Sequence, residues 1–134
     1  MGVVVFDSDV LIGFLSARDA HHAGAVACVR ASLAPRSRRL LCAVNYSEIL
    51  IGPLRAGANE RVERMLTQFA IEIVPADAAL ARRAATVRAE TNLRLPDAYA
   101  LATAVQADER GLPDVRLASF DEAVLRAARA RQLA

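Results

Sequence analysis

Four short apolar runs, at residues 3–6, 40–44, 70–74 and 115–118, constrain this chain more than any other feature. The first, Val3-Val4-Val5-Phe6, is continuous and β-branched, the pattern of a strand buried on both faces of a parallel sheet. The stretches between the runs carry helical periodicity instead. Val26, Val29 and Leu33 mark one face of a helix over residues 22–34, and Leu50, Ile51 and Leu54 mark another after the second run. Leu80, Ala84 and Val87 continue the series, followed by Ala98, Leu101, Ala102 and Val105, then by Val124, Leu125 and Ala128. Pro35, Pro53 with Gly57, Pro75, Pro96, and Gly111 with Pro113 punctuate it. Strands alternating with helices predict an α/β layer fold with a mainly parallel sheet. The chain has 134 residues and no repeat, low-complexity tract or linker, so one domain over residues 1–134 is expected.

Composition narrows the chemistry. All 17 basic residues are arginine. Without lysine, Schiff-base, P-loop and protein-kinase mechanisms are excluded. Cys28 and Cys42 are isolated in apolar surroundings and predict neither a disulfide framework nor a zinc site. No apolar run approaches the roughly 18 residues of a membrane span, and no charged leader with a cleavage site is readable. A soluble, cytoplasmic protein without a membrane partner is expected.

The acids fall in a pattern. In an open parallel sheet, ligands bind beyond the carboxyl ends of the strands. Asp7 ends the first strand and Asp9 opens the helix after it. Glu48 lies about one turn into the helix after the second strand. Asp97 follows Pro96 at a helix start, and Asp121 comes two residues past Ser119, which closes the fourth strand. Asp9 and Asp121 are also plausible helix N-caps, Asp97 gains from a helix dipole, and Glu48 suits a solvated face. Asp7 has no such role, standing at the end of a wholly apolar strand. Two carboxylates about 4 Å apart repel by roughly 4 kcal/mol at an effective dielectric of 20. A fold that gathers several needs a cation. Oxygen-only ligands suit Mg²⁺ or Mn²⁺, and the matching reaction is metal-assisted phosphodiester hydrolysis.

The segments Val5-Phe6-Asp7-Ser8-Asp9-Val10-Leu11, Asn45-Tyr46-Ser47-Glu48-Ile49-Leu50, Leu95-Pro96-Asp97-Ala98-Tyr99-Ala100-Leu101-Ala102 and Ser119-Phe120-Asp121 resemble, in that order, the motifs of PIN domains, most closely VapC-type toxin ribonucleases. The resemblance covers nearly the whole chain. It implies a three-layer domain with a central four- or five-stranded sheet flanked by helices. It places the family's catalytic, metal-binding acids on Asp7, Glu48, Asp97 and Asp121, and its small hydroxyl residue on Ser119. Asp7, Asp97 and Asp121 would be metal ligands, directly or through water. Glu48 would ligate a metal or orient the attacking water, and Ser119 would support from behind. The resemblance further implies a Mg²⁺- or Mn²⁺-dependent endoribonuclease acting on tRNA, rRNA or mRNA, a VapB-type antitoxin as inhibitor, and a homodimer. Two features depart from the family pattern. Asp9 stands where the family often has asparagine or serine, which makes it an extra ligand or a helix cap. A final edge strand is also hard to find, because residues 122–133 read as helix.

Arg94, three residues before Asp97, is the best candidate for an RNA contact, with Arg82, Arg83 and Arg88 on the neighbouring helix. Arg36, Arg38 and Arg39 precede the second strand and belong at the far end of the sheet, in a solvated loop. His21 and His22 point about 100° apart on a helix and cannot share one ion. Leu11, Ile12, Phe14 and Leu15 exceed what one helix face buries, which fits an antitoxin or second protomer as well as core packing. Asp7-Ser8-Asp9 also resembles the start of haloacid-dehalogenase phosphotransferases, but these, like response-regulator receivers, need a lysine that this chain lacks. The rival from another class is a catalytically inert PIN-like module that binds RNA or protein.

Overall fold

The computed structural model describes residues 2–134. The chain alternates as β1 (Val3–Phe6), α1 (Ser8–Leu15), α2 (His22–Ala31), β2 (Arg38–Cys42), α3 (Ala43–Arg55), α4 (Asn59–Gln68), β3 (Ile71–Val74), α5 (Ala78–Thr91), α6 (Leu95–Glu109), β4 (Val115–Ala118) and α7 (Glu122–Arg129). The four strands form one wholly parallel sheet in the order β3-β2-β1-β4.

Period-two alternation builds the layers on either side. Val3 and Val5 of β1 share a core with Leu40, Cys42, Val115 and Leu117 and with the apolar faces of α5, α6 and α7. Phe6 and the half-buried Val4 turn the other way, joining Leu41, Ile71 and residues of α1 to α4. This is the three-layer arrangement expected, and β1 lies at its middle. The connections β1–β2 and β2–β3 cover one face, while the chain crosses by α5 and α6 on the other to reach β4. Reversal of direction opens a switch point between the carboxyl ends of β1 and β4, the place where such sheets bind ligands.

Several expectations change in three dimensions. The second strand begins at Arg38 and ends at Cys42, so residues 43 and 44 already belong to α3. Leu33 lies beyond the end of α2 and is exposed. Ile51 and Leu54 are 50% and 57% exposed, because α3 turns Asn45 and Ile49 inward instead. Helix α4 has no counterpart among the expected elements. Its apolar residues Val62, Met65 and Leu66 are spaced for one narrow face, but seven polar residues surround them. Helix α6 is buried nearly all round, between the sheet and α5, and six of its buried positions are alanine or threonine, which permits close approach. Among the described residues there is no fifth strand. Leu133 is buried and its carbonyl accepts from Leu117 N–H at 2.6 Å, so the tail meets the β4 edge at a single point.

The basic cluster is at the far end of the sheet from Asp7, but only Arg36 precedes β2; Arg38 and Arg39 are its first two residues and not part of a solvated loop. Arg38 makes a two-pronged pair with Glu72 at 2.9 Å, and Arg39 is half-buried, donating to the carbonyls of Phe69 and Ser32. Arg83 pairs with Glu109, and Arg88 caps carbonyls at the end of α5. Arg38 thus joins β2 to β3, Arg83 joins α5 to α6, and Arg39 and Arg88 tie down chain ends between elements. No helix among the described residues is long and apolar enough to cross a membrane.

Candidate active site

The backbone leaves β1 at Phe6 and enters α1 at Ser8, and Asp7 occupies the junction. It caps the helix, with Oδ1 accepting from Ser8 N–H at 2.9 Å. The cap role considered for Asp9 therefore belongs to Asp7, two residues earlier in the chain. Asp9, inside the first turn, reaches across the switch point. Its Oδ2 accepts from the backbone N–H of Phe120 at 2.9 Å. Ser119 Oγ lies 2.8 Å from Asp7 Oδ2 and 3.3 Å from Asp9 Oδ2. A hydroxyl has one proton, so it donates chiefly to the nearer Asp7, while Ser119 Oγ accepts from Asp121 N–H at 3.0 Å. One serine thus ties together the ends of β1 and β4.

Asp121 caps α7, accepting from Val124 N–H at 3.1 Å, as expected. Asp97 lies in the first turn of α6 behind Pro96 and is buried, with Oδ2 accepting from Arg94 Nε at 3.2 Å. Glu48 is half-buried on α3, and its charge pushes up the pKa of Asp97, as does that of Asp121. Arg94, whose side chain is 76% exposed, is held by this same group of charges: Asp97 first, then Glu48 and Asp121. All of the acids singled out in the sequence come to one rim.

Their environment favours neutral or neutralised carboxyls. Asp7 is 2% exposed, and burial, reinforced by the charge of Asp9, raises its pKa to about 7 despite the hydrogen bond from Ser119. Burial also raises Asp9, against the Phe120 and Ser119 hydrogen bonds, and raises Asp97 against its Arg94 pairing. Asp9 Oδ1 is buried and has no hydrogen-bond partner among the described residues. No three of the described carboxylates stand in a ready-made coordination shell. The donor set nonetheless fits a hard divalent cation. It is all oxygen, it includes an orphaned buried carboxylate oxygen, and Mg²⁺ typically keeps several waters and takes only one or two carboxylates directly.

One residue that organises the cluster is not singled out by the sequence reading. Asn45 is fully buried, and its amide donates to Glu48 Oε1 and to the carbonyl of Pro96, both at 3.0 Å. It therefore locks Glu48 against the start of α6 and hence against Asp97. Its place three residues before Glu48 is a possible signal, but a polar residue on a helix is usually solvated. Asn45→Ala leaves the Pro96 carbonyl and Glu48 without their donor. We expect it to cost about 1–3 kcal/mol in urea denaturation, whereas Ser47→Ala, on the exposed face, should cost far less.

Beside Glu48 runs an apolar groove of about 530 Å³, lined by Ile12, Leu15, Ile49, Gly52 and Pro53 and edged by Arg18 and Arg61. The surplus apolar residues of α1 divide accordingly. Leu11 is core, Phe14 packs edge-on against Phe69, and Ile12 and Leu15 face the groove.

A layered parallel sheet with acids at its switch point defines the class, and the comparisons name the family. The PIN domain model matches residues 4–130, and the chain belongs to that family. No curated protein is close enough in sequence to count as a match. Among solved structures, a toxin–antitoxin complex from Klebsiella pneumoniae is similar at 24% identity, covering 90% of this chain and 87% of that one with a TM-score of 0.66. VapC20 of Mycobacterium tuberculosis, a sarcin–ricin-loop-cleaving toxin, is similar at 18% identity over 93% and 94% of the two chains, with a TM-score of 0.68. VapBC2 of Rickettsia felis, bound to a DNA fragment from its promoter, is similar at 12% identity over 89% and 99%, with a TM-score of 0.57. At these identities the likeness establishes the shared fold.

Proposed function

We propose that this chain is a Mg²⁺- or Mn²⁺-dependent endoribonuclease, the toxin of a VapC-type toxin–antitoxin pair. The observation that carries the reading is the gathering of five acids at the switch point, with Asp7 buried and pushed up to about 7. Stability alone gives no reason to bury that charge among like charges. Asp7, Asp97 and Asp121 would hold the cation, with Asp9 supplying its unpartnered Oδ1. When bound, the cation polarises the phosphoryl group and lowers the pKa of water. Ser119 fixes the orientation of Asp7, and the Phe120 N–H that of Asp9. Glu48, held by Asn45, orients the attacking water. Arg94 uses Nε on Asp97 and keeps its terminal nitrogens for the substrate phosphate.

Purified protein incubated with total RNA should generate new, mappable ends with Mg²⁺ and none with chelator. An Asp7→Asn control excludes a contaminating nuclease. Absence of Mg²⁺-dependent cleavage, together with absence of Mn²⁺ binding by calorimetry, would leave an inert PIN-like module.

The groove is the proposed seat of the antitoxin. It is apolar and continuous with Glu48, so an amphipathic helix lying in it would cover the acidic rim. Gly52 offers a clean test, since a Cβ there meets nothing within 4 Å. Gly52→Phe should leave the fold intact and fill the groove. Affinity for the antitoxin encoded alongside should fall about 30-fold or more, the scale of a central interface residue, measured by titration calorimetry. Unchanged affinity would place the antitoxin elsewhere. The same reading includes a homodimer, which light scattering would test.

A further inference from the structure

The acids account for cutting a phosphodiester but not for holding the nucleotide beside it. Phe120 stands between Ser119 and Asp121, and its backbone N–H is the donor that fixes Asp9. Its half-buried ring is stacked on the imidazole of His21, with centroids 4.6 Å apart and planes within 14°. His21 is exposed and is positioned through its backbone. Its N–H donates to Asp19 Oδ1 at 2.8 Å, and its carbonyl accepts from Ala25 N–H at 2.8 Å. The hydrogen bonds of His21 among the described residues are these backbone ones, which leaves both ring nitrogens free. Three residues on, Gly24 has no side chain to cover Phe120, and a Cβ there would lie 3.5 Å from the ring.

The other aromatic rings are engaged elsewhere. Phe6 is core, Phe14 and Phe69 pack edge to face, Tyr46 is bonded to Glu63, and Tyr99 packs against the α6 core. Among the described residues, His21 and Phe120 form the one face-to-face stack, and it begins one residue from Asp121, with Ser119 on its other side. The backbone N–H of Phe120, which carries the inner ring, is bonded to Asp9 at 2.9 Å, so the platform is rooted at the acids.

We propose that the His21–Phe120 stack is a nucleobase subsite. The outer face of His21 takes the base next to the scissile phosphate, extending the stack by one ring, and a free ring nitrogen is available to the base or its phosphate. This rests on the reading of the chain as a ribonuclease. Stacking of this kind is sequence-tolerant and favours unpaired bases, so the substrate class is RNA with at least one unstacked nucleotide at the cut.

The test uses the Asp97→Asn protein, in which cleavage is expected to be slowed about 100-fold or more. Fluorescein-labelled oligoadenylate is compared with an abasic ribose-phosphate oligomer of equal length, in Mn²⁺. The intact oligomer should bind roughly ten-fold more tightly than the abasic one. His21→Ala should abolish that ratio, and His21→Phe, which keeps the plane, should restore it. The ratio does not depend on the fraction of folded protein. If His21→Ala weakens both oligomers equally, or neither, the stack is a structural clasp and the subsite is refuted. If wild-type protein cuts RNA with Mg²⁺ but the Asp97→Asn protein shows no base-dependent ratio, the subsite alone is refuted. A His21-dependent ratio in a wild-type protein that cuts nothing supports the subsite and refutes the nuclease reading.

Discussion

Asp7→Asn should make the metal-free protein more stable above pH 7 while weakening its response to Mn²⁺. Asp7 has a folded pKa of about 7, against about 3.9 for an unfolded aspartate. The folded state therefore holds this proton more tightly. The stability Asp7 contributes is fully present below about pH 4, fades as pH rises, and is gone above about pH 7, where a buried charge remains. Three pKa units correspond to about 4 kcal/mol, an upper bound because burial is relieved by relaxation and water. Asparagine is isosteric and keeps the Ser8 contact. Ser119 can turn its proton to Asp9, 3.3 Å away, and accept from the new amide. Urea denaturation in chelator at pH 5 and pH 8 reads the outcome. The wild type should lose stability between the two pH values, and the variant should lose less. Asp9 and Asp97 are raised in the same direction, so some slope persists. A wild-type protein that gains stability from pH 5 to 8 would refute the assignment. Added Mn²⁺ should stabilise the wild type by mass action and the variant much less.

The second large effect concerns rate. Asp97→Asn should lower kcat for Mg²⁺-dependent RNA cleavage by about 100-fold or more, while KM for RNA stays equal or falls. Asp97 is buried at the start of α6 and anchors Arg94. Removing its charge takes away one of the proposed cation ligands. It also frees the Arg94 guanidinium and makes the rim less repulsive to a polyanion, so binding in the ground state improves as the transition state loses support. Single-turnover cleavage with excess protein separates the two quantities. A raised KM with unchanged kcat would make Asp97 a substrate-binding residue and leave the proposed ligand set without its centre.

Much of this site is legible in the chain itself. Asp7, Asp97 and Asp121 stand beside strand ends and helix starts, and those boundaries follow from short-range patterns: β-branched runs, Pro96 in a first turn, and an acid ahead of Val124. Other features resist such reading. Helix α4 is hidden because three apolar residues among charges are a weak stripe, and Ile51 and Leu54 mislead because an exposed apolar flank has the same spacing as a core face. Asn45 looks like a solvated helix residue until α6 is packed against it.

Local sequence determined the succession of strands and helices and the acids at their junctions, because periodicity, capping and turn preferences act over a few residues. Tertiary structure alone decided the order β3-β2-β1-β4, which brings Ser119 to Asp7 across 112 positions of chain. The same packing strips water from Asp7 and Asp97, pairs Asn45 with Pro96, stacks His21 on Phe120 and leaves the groove beside Glu48 open. Desolvation, charge proximity and surface exposure depend on neighbours remote in sequence, and these set the chemistry of the rim.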